Sequence, residues 1–123
     1  DDVPFTFPAL LEGQKLTKKA AKVKFDWEHI EPIFDKLAEE TAELKSAIES
    51  DDNIEEEIGD LLFVIINLAR KLDVDAETAL KKTNRKFRQR FKFIEQNLHN
   101  KGQSFETSTL EEMDALWNES KKT

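Results

Sequence analysis

Apolar positions along the chain recur at spacings of three and four, the pattern of helices that bury one face. Ile30, Ile33, Leu37, Leu44 and Ile48 form one such stripe. Ile54, Ile58, Leu61, Ile65, Leu68 and Leu72 form a second, and Phe87, Phe91, Ile94 and Leu98 a third. No apolar–polar alternation runs long enough to predict a strand. The opening stretch, DDVPFTFPALLEGQKL, carries two prolines and a glycine and predicts a loop entering a short helix over residues 8–22. Residues 1–22 are therefore taken as a lead-in and residues 23–123 as the main helical domain. A second helix is expected behind Asp26 as N-cap, with Pro32 in its first turns, running to about Ser50. The polar break SDDN (50–53) ends it, and a third helix spans Ile54 to Leu72. Asp75 caps a fourth, from Ala76 to Asn100, which stops before Gly102. Ser108 or Thr109 opens a last helix reaching about Lys121. The predicted class is all-α, an antiparallel bundle of four to five helices with short connections.

Composition narrows the function. The chain has 123 residues, 38% of them hydrophobic and 37% charged, which is enough for one small domain with a core. A net charge of −7 makes nucleic acid an unlikely partner, apart from any local basic patch. With no cysteine, disulfides, thiolate metal sites and thiol catalysis are excluded. No apolar run approaches the roughly 20 residues that span a bilayer, so no membrane partner is expected and a cytoplasmic location is.

The acids change the picture most. Within EEEIGDLLFVIINLAR (55–70), Asp60 stands at the head of a long apolar run, where an unpaired carboxylate is costly. At about 100° per residue, Glu40 lies ~60° and Glu43 ~120° to one side of Leu37. By the same measure Glu57 lies ~80° and Asp60 ~140° to the same side of Ile65. Two antiparallel helices that share this sense place both pairs on one side. Glu43 and Asp60 each sit about eight residues from the turn, and the midpoints of the two pairs differ in height by roughly 4.5 Å. Four carboxylates then converge at the border of an apolar core, and four anions in so small a volume require a cation. An all-oxygen ligand set selects a hard ion, Mg²⁺ first and Mn²⁺ second. Gly59, beside Asp60, is read as room for a neighbouring backbone to approach.

The segment KKTNRKFRQRFK (81–92) has seven basic residues in twelve. Lys86 and Arg90, one turn apart, project together and suit a polyphosphate. Asn84 falls on the Phe87/Phe91 stripe, an awkward place for an amide that bonds nothing, and is read as either a satisfied buried amide or a contact to substrate. Lys36 is spaced for a helix ion pair with Glu40. His29 and His99 have no ligand partners in the pattern and are read as structural, and Trp27 as packing. Phe63 and Ile66 lie off the third helix's stripe, so that helix is apolar nearly all round. A helix of this kind needs burial on every side, which predicts a homodimer with it at the interface.

EETAE (39–43) followed by EIGD (57–60) resembles the E-E-x-x-E … E-x-x-D pattern of MazG-type nucleoside triphosphate pyrophosphohydrolases. FPALLEGQKLTKKAAKVKFDW resembles that family's lead-in, NRKFRQRF its phosphate-gripping helix and TLEEMDALW its closing helix, so the likeness covers nearly the whole chain. Lys24 departs from the family's usual glycine before Phe25-Asp26-Trp27. The resemblance implies Mg²⁺-dependent hydrolysis of (deoxy)nucleoside triphosphates to monophosphate and pyrophosphate. It implies metal ligation by Glu40, Glu43, Glu57 and Asp60, which would also be the catalytic centre, with Glu39 outside the set. It further implies phosphate contacts at Lys86 and Arg90, a nucleotide contact at Lys36, base stacking on Trp117, a homodimer, and a place as the C-terminal domain of a longer protein. Glu39 and Glu56 are the two candidates for a general base. Dimeric dUTP or dCTP pyrophosphatases and phosphoribosyl-ATP pyrophosphatase are the rival enzymes on a similar scaffold. The alternative of another class is a non-enzymatic helical or nucleic-acid-binding module using residues 81–92.

Overall fold

Pro8, which has no N–H to leave unsatisfied, stands directly before the first helix. The computed structural model describes residues 8–122, with five α-helices and no strand among them. These are α1 (Ala9–Lys22), α2 (Glu31–Ser50), α3 (Ile54–Lys71), α4 (Ala76–Asn100) and α5 (Leu110–Ser120). The loop expected at the chain start falls mainly on residues 1–7, outside the described residues. No described helix is long and apolar enough to cross a membrane.

The breaks follow from side chains that tolerate a left-handed backbone. Asp51 and Asn53 have φ of 53° and 61°, a conformation that short polar side chains adopt more readily than most. They reverse the chain within three residues and lay α3 antiparallel to α2. Asp75 caps α4 as expected, accepting from the Glu77 N–H at 3.2 Å and the Thr78 hydroxyl at 2.7 Å. For α5 the cap is Thr109, whose Oγ1 accepts from the Glu112 N–H at 3.2 Å.

Asp26 does not cap α2, which starts five residues later with Ile30 at its N-cap and Pro32 in its first turn. The carboxylate is drawn instead to the far end of α3. Arg70 donates to it through Nη1 at 3.3 Å and through Nη2, and Lys71 Nζ approaches at 3.4 Å. The Trp27 N–H adds a bond at 2.8 Å. Two cations outcompete one helix end for an anion, so FDW becomes a strap across the end of α3.

The chain divides into two compact units at Ala79/Leu80. In the first, α3 packs against both α2 and α1. Gly13 lies at the second contact, where a Cβ would meet Ile66 Cδ1 at 3.4 Å, an ordinary van der Waals distance. Gln14 ties α1 to the α3–α4 connection, donating to the Val74 carbonyl at 3.0 Å and accepting from the Ala76 N–H at 2.6 Å. In the second unit Ile94, Leu98 and Leu116 form a core, with Phe93, Phe105, Met113 and Trp117 packed on it.

The stripes are buried less evenly than the periodicity predicts. On α3 the buried residue is Ile66, off the stripe, because α1 covers that flank; Ile58, Ile65 and Leu72 stay exposed. Part of the all-round burial expected from a second copy is thus met within the chain. Phe63, at 45% exposure, is not covered in this way. On α4, Ile94 and Leu98 are buried while Phe87 and Phe91 remain about half exposed.

The Asp26 carboxyl experiences burial, which alone would raise its pKa. The Arg70 and Trp27 hydrogen bonds, the charge of Arg70 and the Lys71 hydrogen bond outweigh this and hold it below the ordinary 3.8. A depressed folded-state pKa contributes stability that is present above the unfolded value and lost as pH falls through the folded one. Asp26→Asn is expected to cost about 1–2 kcal/mol at pH 7, a charged hydrogen bond discounted for partial exposure. Urea melts of both proteins at pH 7 and pH 3 check this: the gap should narrow at the lower pH.

Candidate metal centre

The hairpin geometry brings three acids together. Glu40 on α2 and Glu57 and Asp60 on α3 each present a carboxylate oxygen, all within 4.8 Å of one another. Glu40 is 5% exposed, which is unusual for a glutamate. Its Oε1 faces Lys36 Nζ at 3.3 Å, and the same ammonium meets Glu39 at 3.5 Å. Hydrogen bonding to Glu40, then the charge of Glu39, raises the Lys36 pKa, so the lysine is firmly cationic.

Glu40 Oε2 has no such partner. Both it and Glu57 Oε2 are buried without a hydrogen bond among the described residues. Burial, then the neighbouring Glu43 carboxyl, then the charges of Asp60 and Glu40 push the Glu57 pKa upward. Each cause disfavours the ionised form. Two orphaned oxygens of like charge, close together on rigid helices, form a donor set that fits a hard divalent cation. A buried apolar core would not gather them, and one lysine does not neutralise them.

The structure separates Glu43 from the tight group. It is exposed and lies outside the three-carboxylate cluster, yet its carboxyl acts directly on Glu57. Glu39, Glu43 and Glu57 also share the wall of an open hollow beside the α2–α3 turn, whereas Glu56 does not. Gly59 has open space where a Cβ would be, so no neighbouring backbone uses the room it leaves.

The remaining candidates belong to other surroundings. Asn84 and Lys86 are exposed on α4, so Asn84 is not a buried amide. The guanidinium carbon of Arg90 lies 5.3 Å from the Trp117 ring centroid, a cation–π contact, and Phe87 tilts against the same ring at 5.6 Å. Trp117 thus fixes Arg90 and joins the second unit's core. Sequence reasoning missed two features that depend on three-dimensional neighbours: Arg70 as the anchor of Asp26, and a cavity of about 550 Å³ in the first unit. Leu16, Phe25, Trp27, Lys36, Phe63 and Asn67 are among its lining residues.

Comparison with known proteins points the same way as the acids. Residues 29–94 match the MazG nucleotide pyrophosphohydrolase domain, a span that contains all four acids, Lys36, Asn84, Lys86 and Arg90. A nucleoside triphosphate pyrophosphohydrolase of Escherichia coli K12 is 40% identical over 99% of this chain and 48% of its own length. A Thermotoga maritima protein named nucleoside triphosphate pyrophosphohydrolase/pyrophosphatase MazG is 42% identical over 93% of this chain and 44% of its own. The Bacillus subtilis protein YabN is 45% identical over 58% of this chain. The chain spans about half the length of the first two relatives.

A cation that binds the folded cluster and not the unfolded chain stabilises the fold by mass action. Adding a divalent cation should raise the melting temperature of the wild-type protein. Glu57→Gln removes one repelling charge, so it should melt higher than wild type without metal and respond little to it. Differential scanning fluorimetry with and without a chelator reads both effects.

Proposed function

This chain belongs to the MazG nucleotide pyrophosphohydrolase family, and on that premise we propose that it hydrolyses nucleoside triphosphates to the monophosphate and pyrophosphate. The observation that carries the proposal is the pair of orphaned carboxylate oxygens on Glu40 and Glu57, within a three-acid cluster. In this reading Glu40, Glu43, Glu57 and Asp60 hold Mg²⁺, with Mn²⁺ as the substitute their oxygen donors also accept. Bound there, the metal would supply Lewis-acid polarisation of a phosphate and a nucleophilic water.

The chain's own residues do the rest. Water attacks the α-phosphorus, the bond to the bridging oxygen of the β-phosphate breaks, and pyrophosphate leaves. Glu39 is the better placed of the two candidate bases, since it shares the hollow with Glu43 and Glu57 and is held by Lys36. Its carboxylate would take the proton of the attacking water. Lys36, beside Glu40, offsets negative charge at the phosphate end of the substrate. Lys86 and Arg90 are the proposed cations for the outer phosphates, where charge grows as pyrophosphate departs. Arg90 is the more preorganised of the two because Trp117 supports its guanidinium. Trp117 is retained as the stacking candidate for the base and Asn84 as a polar contact to substrate.

The homodimer also belongs to this proposal. Ile58, Leu62, Phe63 and Ile65 of α3 are each between 44% and 49% exposed, and single chains seldom leave such a run uncovered. Light scattering at micromolar concentration should return twice the chain mass, and a clean monomer would sink the dimer. For the reaction, a panel of nucleoside triphosphates with Mg²⁺ should yield pyrophosphate and monophosphate; release of orthophosphate alone refutes it. Glu40→Gln and Asp60→Asn should each lose more turnover than the roughly 10–100-fold that outer-shell changes around a metal cost.

A further inference from the structure

Along α4 no acid stands between Glu77 and Glu95, and the seven basic residues of the segment 81–92 all fall in that gap. The chain as a whole carries −7, so its positive charge is strongly localised.

Helix geometry divides the seven. With Phe87 as reference and about 100° per residue, Leu80, Phe91, Ile94 and Leu98 lie within ~40° of it and form the apolar stripe. Lys86 and Arg90 lie ~60–100° to one side, with Lys82 beyond them. Lys81, Arg85, Arg88 and Lys92 lie ~100–160° to the other side. These four make a ribbon of their own, with steps of ~6, 4.5 and 6 Å along the axis and ~16.5 Å in all. A nucleotide held by Lys86 and Arg90 is on the wrong flank to neutralise it.

All four ribbon residues are exposed, and none is in an ion pair among the described residues. Like charges three and four residues apart repel and weaken a helix. The second unit's core is built from the stripe and does not use them. An external polyanion would relieve the repulsion.

The neighbouring rings narrow the choice of polyanion. Phe87 and Phe91 stack at 5.8 Å and Phe91 stacks on Phe105 at 4.7 Å, yet Phe87 and Phe91 stay 53% and 45% exposed. Phe87, Phe91, Arg88 and Lys92 line one open hollow, so rings and ribbon are continuous. Glu95, next along the helix, ends the cationic strip. A bilayer would have to take rings and cations on one plane, but their mean directions differ by ~110°. A duplex keeps its bases inside and offers nothing to the rings. A single strand meets both, because its phosphates follow a line of cations while its bases turn to one side onto aromatic rings.

We propose that the ribbon of Lys81, Arg85, Arg88 and Lys92, together with Phe87 and Phe91, binds single-stranded nucleic acid. This is a second activity beside the hydrolysis of nucleotides and does not depend on it.

Fluorescence anisotropy of labelled oligouridylate and oligothymidylate with 5′-hydroxyl ends tests this on the whole chain. Neither oligomer carries a triphosphate for the acid cluster to take. Both should bind at low salt, with a log–log salt slope near −3, from four phosphate contacts at about 0.7 each. Preference for the uridylate marks the natural strand as RNA and preference for the thymidylate as DNA; either supports the proposal. Arg88→Gln should lower the slope by about 0.7. Lys81→Gln, Arg85→Gln, Arg88→Gln and Lys92→Gln together should abolish binding and leave pyrophosphate release from triphosphates unchanged. Phe87→Leu should weaken binding about tenfold, the worth of one stacked base. An abasic oligomer tests the same contact without a mutation and should bind as weakly. Equal affinity for polyglutamate or for a duplex would overturn the proposal, as would binding to anionic phospholipid vesicles in place of the strands. So would strand binding that survives the fourfold glutamine variant, or no strand binding at low salt.

Discussion

A carboxylate buried beside two others is the constraint on which the rest of the first unit depends. Like charges at this distance repel and strain the fold unless a cation intervenes, and burial together with its acidic neighbours pushes the Glu57 pKa upward. Only rigid elements hold groups in such an arrangement, and α2 and α3 supply them: a three-residue reversal fixes the register of Glu40 against Glu57 and Asp60. The left-handed Asp51 and Asn53 that make this reversal therefore set the cluster's geometry as much as the acids themselves do. The grip of Arg70 and Lys71 on Asp26, at the opposite end of α3, straps the FDW segment across the hairpin and braces it there.

Lys36 links the two chemistries of the unit. It pairs directly with the buried glutamate, and it also lines the apolar cavity. A lysine stem suits this position because four methylenes tolerate an apolar wall while the ammonium reaches a carboxylate. The acid cluster and the apolar cavity thus adjoin on one scaffold.

Much of this was legible in the sequence, in proportion to how local the cause was. Helix ends with a cap of their own could be read directly: Asp75 and Thr109 act within three residues of themselves. The meeting of Glu40, Glu57 and Asp60 could be read from periodicity, because two adjacent antiparallel helices leave few relative orientations, whereas Glu43 falls outside that cluster. Asp26 was misread as a cap because its partners lie more than forty residues away, and a short-range pattern carries no information about them. Burial along α3 was misjudged for a similar reason. A stripe shows which residues are apolar, but α1's approach through Gly13 decided that Ile66 rather than Ile65 is covered. The Asn67–Arg70 bond lay within reach at i,i+3, but the cavity that Asn67 lines is assembled from separate elements, which no periodicity reveals.

The fold compensates for some of the gathered charge before any ion binds. Glu55, Glu56 and Glu57 occupy the first turn of α3, where the helix's unpaired N–H groups and dipole favour anions. Only Glu57 among them acts with the cluster; Glu55 and Glu56 face solvent, where their charge costs little. Lys36 offsets part of Glu40. The helix end eases one acid and the lysine another, but neither meets the two buried oxygens that lack a partner. Stability alone would have replaced these acids with apolar residues, which bury at a gain. Their retention at the border of a core, with compensation that stops short of neutrality, is what a site must keep if it is to attract a cation.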